Sequence, residues 1–394
     1  MNTFAAVMTG QGVGAISTIQ LFGDSAEAVI KKIFRPAGEK PLTLKPGKIC
    51  LGTITNGTET IDQVTIGCEA RNCFAINCHG NPLIVADIMQ LLAKHDAEPL
   101  TAEQLLCKIL SAEKTLNTIA IEVRLTQPKA KTLEGTKIIA NQIDGGLSKT
   151  ATQWLKNVDA MPIKKIADDA ERILQASQTA KLIIAGCKVA IAGPPNTGKS
   201  TLLNYLAGRQ KAIVTDIKGT TRDWVSGQCQ IDSLALELID TAGLDDQLTA
   251  APEDTIGKVS QQKAVEILEQ ADLVLLVLDN SQSADQLDDA LIEKIAGKKV
   301  ITVLNKSDLP AGFDAGKLPK VLSDTVQISA KFGTGIANLT EKIRQILSVV
   351  GFDLKQPVCI TDRQKNLLTQ LKNAKSKSKA HSIITELLNG ELSV

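Results

Sequence analysis

The chain has 394 residues, too many for one hydrophobic core, so two or three domains are expected. Its 44 lysines and arginines balance 43 aspartates and glutamates, which excludes a global electrostatic pull toward nucleic acid or anionic lipid and confines such contacts to local patches. With aromatic residues at 3%, base-stacking platforms of the RRM kind are not expected.

Residues 1–100 alternate short β-like segments (Ala15 to Phe22, Ile61 to Ile66, Cys73 to Cys78) with helical stretches (Ala26 to Phe34, Leu83 to Lys94) and Gly/Pro/Asn breaks, which predicts a small α+β domain. Cys68, Cys73, Cys78 and His79 invite a metal cluster. Their five-residue steps, however, put alternate cysteines on opposite faces of a strand and match no zinc spacing, so buried thiols are expected. His79-Gly80-Asn81-Pro82 reads as a turn before a helix, with no serine or carboxylate partner for His79 evident nearby. Eight cysteines without a C-x-x-C pair, in a chain with no cationic-then-apolar leader at Met1, fit reduced thiols in a cytosol.

Residues 101–185 carry helical spacing with few breakers: Leu105, Leu106 and Ile109, then Leu155, Val158, Ile166, Ile173 and Leu174. A helical bundle portion is predicted, with Asp168-Asp-Ala-Glu-Arg172 as a solvated face.

Chemistry concentrates in residues 186–349. Gly193-Pro-Pro-Asn-Thr-Gly-Lys-Ser200 matches G-x-x-x-x-G-K-[ST] between an apolar strand, Val189-Ala-Ile-Ala192, and a leucine-rich helix beginning near Leu202. In that context the glycines let backbone N–H groups turn inward on phosphates, Lys199 reaches the β/γ oxygens, and Ser200 offers a hydroxyl to Mg²⁺. Asp216-Ile-Lys-Gly-Thr-Thr-Arg-Asp223 suits a loop that closes on the γ-phosphate through Thr220 or Thr221. The strand Leu234 to Ile239 delivers Asp240-Thr-Ala-Gly243, where Asp240 can hold the Mg²⁺ water shell and the Gly243 N–H the γ-phosphate.

Leu273 to Leu278 and Val300 to Leu304 are continuous apolar runs, as expected of parallel strands covered on both faces. Neither run is long enough to span a bilayer. The second ends in Asn305-Lys-Ser-Asp308. A carboxylate at Asp308 can accept the N1–H and 2-amino group of guanine, which adenine lacks; a site of this kind discriminates by roughly 10⁴-fold. Ser329-Ala-Lys331, after another short strand, can set the Ala330 N–H against guanine O6. The nucleotide-binding set is therefore Asn196, Thr197, Gly198, Lys199, Ser200, Thr201, Thr220, Thr221, Asp240, Gly243, Asn305, Lys306, Asp308, Ser329, Ala330 and Lys331. It specifies GTP and GDP over ATP.

The position after Asp240-Thr-Ala-Gly243, where Ras-like switches keep a water-orienting glutamine, is Leu244. Gln247, Glu253 and Asp254 are candidates for that work beside Lys199. No arginine or lysine finger can be named, and a monovalent cation held partly by Asn196 can supply the charge instead. Residues 350–394 return to helical spacing (Leu367, Leu368, Leu371; Ile383, Ile384, Leu387, Leu388) and carry Lys372, Lys375, Lys377, Lys379 and His381. A solvated face is the default for these cations; a small RNA-backbone patch is the sharper alternative. Cys359 is read as packing.

Pro195-Asn-Thr-Gly-Lys-Ser200, Asp216 to Asp223, Asp240 to Leu244 and Asn305 to Asp308 together resemble the MnmE (TrmE) family of bacterial tRNA-modification GTPases. Thr9 to Ala15 with Ile19 to Gly23 is similar to that family's N-terminal segment, and Asn77-Cys-His-Gly-Asn81 to its Q-G-H-G-G turn. The fold implied is an α/β P-loop GTPase domain (186–349), a mostly parallel sheet flanked by helices, inserted in an all-α helical domain (101–185 and 350–394), with a small α+β N-terminal domain (1–100). The resemblance implies a cytoplasmic, potassium-stimulated GTPase whose G domains pair during hydrolysis. It implies a homodimer formed through N-terminal domains that bind a folate derivative, and joint action with the flavoprotein MnmG on tRNA wobble uridine, with no membrane partner.

Carried over by position, Asn196 is the potassium ligand. The family's water-orienting glutamate falls on Asp254, before Ile256-Gly257, with Glu253 as the alternative. The sequence departs from the family pattern at that shorter acid and at Gln11, where the family has arginine. It departs again at Ala70-Arg-Asn72, where the family has G-E-D, and it closes at Leu388 to Val394 without the C-[IL]-G-K tail. The competing expectation is a diverged GTP-dependent regulatory or assembly switch with no RNA-modifying activity of its own. An ATP-dependent P-loop kinase or transporter subunit is disfavoured by Asp308 and Ala330.

Overall fold

A computed structural model describes residues 2–10, 12–38, 44–113, 115–208, 226–240, 266–287 and 289–392. The chain divides into two units, Met1–Ile121 with Asn389–Val394, and Glu122–Leu388.

In the first unit the order is β1 (Thr3–Val7), β2 (Ile16–Phe22), α1 (Ala26–Ile33), β3 (Phe34–Pro36), β4 (Ile49–Asn56), β5 (Glu59–Ala70), β6 (Cys73–His79), α2 (Pro82–Lys94), β7 (Ala97–Pro99) and α3 (Ala102–Ala112), before α4 (Thr118–Thr126). The strands form one sheet in the order β3-β4-β5-β6-β2-β1-β7, antiparallel except for the β1–β7 pair. Alternation along β5 buries Asp62, Val64, Ile66 and Cys68 on one face. Phe34, Phe74, Ile19 and Leu21 meet Val29, Ile30 and Ile33 of α1 and Ile88, Leu91 and Leu92 of α2 in that core. Cys68 and Cys78 pack there as well, so the expected burial of these thiols is observed. The step from Cys68 to Cys73 crosses the β5–β6 turn; it does not run along one strand.

His79 has the carboxylate partner that nothing near it in sequence suggested. Across the β5–β6 hairpin, the buried Asp62 accepts from the His79 N–H at 2.8 Å and lies 2.7 Å from its Nδ1. Seventeen residues of separation hide that pairing from local inspection.

The second unit opens with α5 (Leu133–Asp144), α6 (Leu147–Asn157) and α7 (Ile163–Ala185). It continues through β8 (Cys187–Ala192), α8 (Lys199–Gly208), β9 (Ser226–Ile231), β10 (Leu234–Asp240), β11 (Leu273–Asp279), α9 (Asp289–Ile295), β12 (Val300–Asn305), β13 (Thr325–Gln327) and α10 (Ile336–Ile346). It ends with α11 (Asp362–Lys372) and α12 (Lys377–Asn389). The six strands run β13-β12-β11-β8-β10-β9, all parallel except the edge strand β9. Every residue of β11 and β12 is buried, the outcome expected of apolar runs covered on both faces.

Buried polar joints tie the helices together. Gln142 on α5 donates to the Gln356 carbonyl while its Oε1 accepts from the N–H groups of Leu147 and Val358. Glu122, 3% exposed, accepts from Thr361 Oγ1, from Arg363 Nε and Nη2, and from Gln364 Nε2 at 2.6–2.9 Å. Arg363 also donates to the carbonyls of Glu386 and Leu387, which clamps the end of α12. Among the described residues no helix is long and apolar enough to cross a membrane.

Candidate active site

The loop after β8 is shaped by positions where the backbone takes φ values hostile to ordinary side chains. Gly193 has φ +141°, and a Cβ there would stand 2.1 Å from the Val277 carbonyl oxygen. Gly198 has φ +93°, with a Cβ position only 2.3 Å from Asn305 Nδ2. These two glycines answer to steric contacts as well as to dihedral freedom. Asn196 sits between them in the left-handed region at φ +61°, exposed at the tip.

Lys199 opens α8 and is 4% exposed. Its ammonium donates to the carbonyls of Gly193 (2.6 Å) and Pro194 (2.8 Å), so the loop is curled around the charge. Thr197 Oγ1 donates to the same Pro194 carbonyl. Beside it, Ser200 Oγ donates to Asp240 Oδ2 at 2.7 Å. Asp240 is 5% exposed at the carboxyl end of β10, where strand register sets it against Ile191 of β8. A hydroxyl and a carboxylate in contact at the phosphate loop are the hard oxygen donors that suit Mg²⁺. Thr201 follows, exposed on α8.

The base side is organised by Asn305, the last residue of β12 and 2% exposed. Its Nδ2 donates to the Thr197 carbonyl at 2.8 Å, and its Oδ1 accepts from the Ala330 N–H at 2.9 Å. One side chain thus joins the phosphate loop to the Ser329–Lys331 loop. The Ala330 N–H, expected from sequence to face guanine O6, donates to Asn305 at the end of β12. Asp308 stands exposed, with Oδ1 held by Ser329 Oγ at 2.6 Å. Lys331 is exposed, with its ammonium 5.1 Å from the centroid of the Phe332 ring.

Lys306, at φ +62°, pairs with Asp279 at 2.6 Å. Burial pushes the Asp279 carboxyl upward, but hydrogen bonds from Lys306 and Ser281 outweigh it and hold the group below the usual carboxylate range. Sequence inspection missed Asp279. The available signal was its place as the first charge after the apolar run of β11, in register with Asn305 at the end of the neighbouring strand. Thr220, Thr221, Gly243, Gln247, Glu253 and Asp254 lie outside the described residues, as does the segment from Asp216 to Asp223.

A phosphate loop between strand and helix, a serine–aspartate pair at its side and a carboxylate positioned beyond a buried asparagine define a P-loop GTPase. Residues 188–306 match a family model described as 50S ribosome-binding GTPase, and residues 3–104 match one described as GTP-binding protein TrmE N-terminus. The tRNA modification GTPase MnmE of Lactiplantibacillus plantarum is 31% identical over 412 residues, covering 95% of this chain and 87% of the relative. That of Lactobacillus helveticus is 32% identical over 409 residues, covering 94% and 87%. Among solved structures, the G domain of the T. maritima FeoB iron transporter is 30% identical, covering 41% of this chain and 98% of that one, with a TM-score of 0.32. The chain belongs to the MnmE family, and it is a GTP hydrolase.

Proposed function

We propose that this GTPase hydrolyses Mg-GTP with potassium assistance and serves the modification of wobble uridine in tRNA. The observation that most supports a guanine switch is the joint at Asn305, which couples the phosphate loop to the loop carrying Ser329, with Asp308 held beside it for the base. Lys199, already turned into the loop, needs only to exchange the Gly193 and Pro194 carbonyls for phosphate oxygens. Magnesium, when bound, neutralises charge on the phosphate oxygens. Ser200 and Asp240 would hold it, together with Thr220 or Thr221. Asn196 is proposed to hold potassium, and Asp254 or Glu253 to orient the attacking water, with Gly243 toward the γ-phosphate.

The 186–349 module is taken to be inserted between helical segments 101–185 and 350–394, behind an N-terminal domain over 1–100. Homodimerisation, a cytoplasmic setting and an MnmG-like flavoprotein partner complete the proposal, by likeness to the family. No folate role is included, because Gln11 and Ala70-Arg-Asn72 replace the family's arginine and acidic runs.

Two measurements test this. Asp308→Asn is expected to weaken GTP binding and admit xanthine nucleotide; an unchanged preference for GTP over ATP would remove the base assignment. Nucleoside analysis of tRNA from a deletion strain is expected to show loss of a wobble modification, and an intact profile refutes the tRNA role.

A further inference from the structure

We propose that the end of the helical bundle formed by the α11–α12 turn and the α6–α7 loop is a binding surface for the phosphate backbone of RNA. Over the whole chain acids and bases cancel, yet residues 363–385 hold six lysines and arginines and no aspartate or glutamate. Arg363 is spent on the buried Glu122, and Lys372 pairs with Glu171. Lys375 and Lys379 are exposed, and among the described residues neither forms an ion pair.

Folding gathers further charge at the same place. Lys377 donates to the backbone carbonyl of Asp159, which seats the start of α12 on the loop between α6 and α7. That contact brings the exposed Lys164 and Lys165, which follow Asp159 at the start of α7, to the same end of the bundle. On these same elements Asp159 and Asp168 are exposed, Asp169 pairs with Arg172 and Glu171 with Lys372, and the lysines still outnumber the acids. The first turn of α12 contains Lys377 and Lys379 and no acid, an arrangement that the helix dipole opposes and that an anion relieves.

The surroundings select RNA among polyanionic partners. None of the exposed large apolar side chains, which include Leu133, Phe332 and Val350, falls in α11, α12 or the α6–α7 loop. A membrane-surface helix needs such anchors, and a protein interface needs an apolar centre. A surface with an excess of lysines and without aromatic residues suits phosphate contacts that carry no base specificity.

The surface rests on the proposed tRNA role only for the identity of the RNA, and binding can be measured apart from modification. The full chain is titrated with a labelled tRNA transcript between 50 and 200 mM KCl, beside the variant Lys375→Ala/Lys379→Ala. Each lysine removed is expected to weaken binding about eightfold at 0.1 M salt and to reduce the slope of log K against log salt by about 1. GTP turnover without RNA and the unfolding midpoint stay unchanged, since both side chains are exposed and neither belongs to the nucleotide loops. Equal affinity and slope for the two proteins overturn the surface while leaving the tRNA role standing. An intact tRNA modification profile in a deletion strain, with this binding retained, would do the reverse. Lysine-dependent capture of phosphatidylserine vesicles with no RNA binding would also overturn it, in favour of a lipid surface.

Discussion

Asn305 is the residue at which the structure makes its most quantitative demand. In Asn305→Ala, the Thr197 carbonyl loses its Nδ2 donor and the Ala330 N–H loses its Oδ1 acceptor. All three residues are at most 2% exposed, so water cannot replace either bond without opening the loops. A buried polar group left unsatisfied costs about 1–3 kcal/mol, and two of them give about 2–6 kcal/mol. The loss should fall on the unfolding transition that GDP stabilises, because a ligand raises only the transition of the unit that binds it. Urea denaturation followed by circular dichroism, with and without saturating GDP, reads both effects. The expected result is a lower midpoint and a smaller GDP-induced shift, as the two loops no longer hold one geometry. A loss below about 0.5 kcal/mol, or an undiminished GDP shift, would refute the role given to this joint.

Two other outcomes follow from buried groups elsewhere. Arg363→Ala strands the Glu122 carboxylate in a site only 3% exposed and is expected to cost about 3–5 kcal/mol. The double substitution Glu122→Gln with Arg363→Met, which removes both charges at once, should cost less, and equal losses in urea titrations would contradict a desolvated ion pair. Burial pushes the thiols of Cys73, Cys229 and Cys359 up to about 11 and that of Cys187 up to about 12. These four should therefore resist a thiolate-selective disulfide reagent at pH 8 in the native protein and react once it is denatured, while the half-buried Cys50 reacts first. Rapid native labelling of all eight would refute the packing described for them.

Much of the architecture was legible because it is written at short range. The all-apolar runs of β11 and β12 announce strands covered on both faces, and the G-x-x-x-x-G-K-S string announces a strand, a phosphate loop and a helix. Glycine at 193 and 198 was expected for conformational freedom. The contacts with Val277 and Asn305 that also require it belong to other strands and became visible only in three dimensions.

What the tertiary structure alone decided is partnership. Asn305 finds Thr197 at a sequence separation of 108 residues, Glu122 finds Arg363 at 241, and Lys306 finds Asp279 at 27. The periodicity of a helix or strand is set by neighbours a few residues away, so a single chain displays it directly. Which buried donor meets which acceptor depends on strand register and helix packing over the whole unit. For that reason the hydrogen bond from the Ala330 N–H to Asn305 is visible only in the fold.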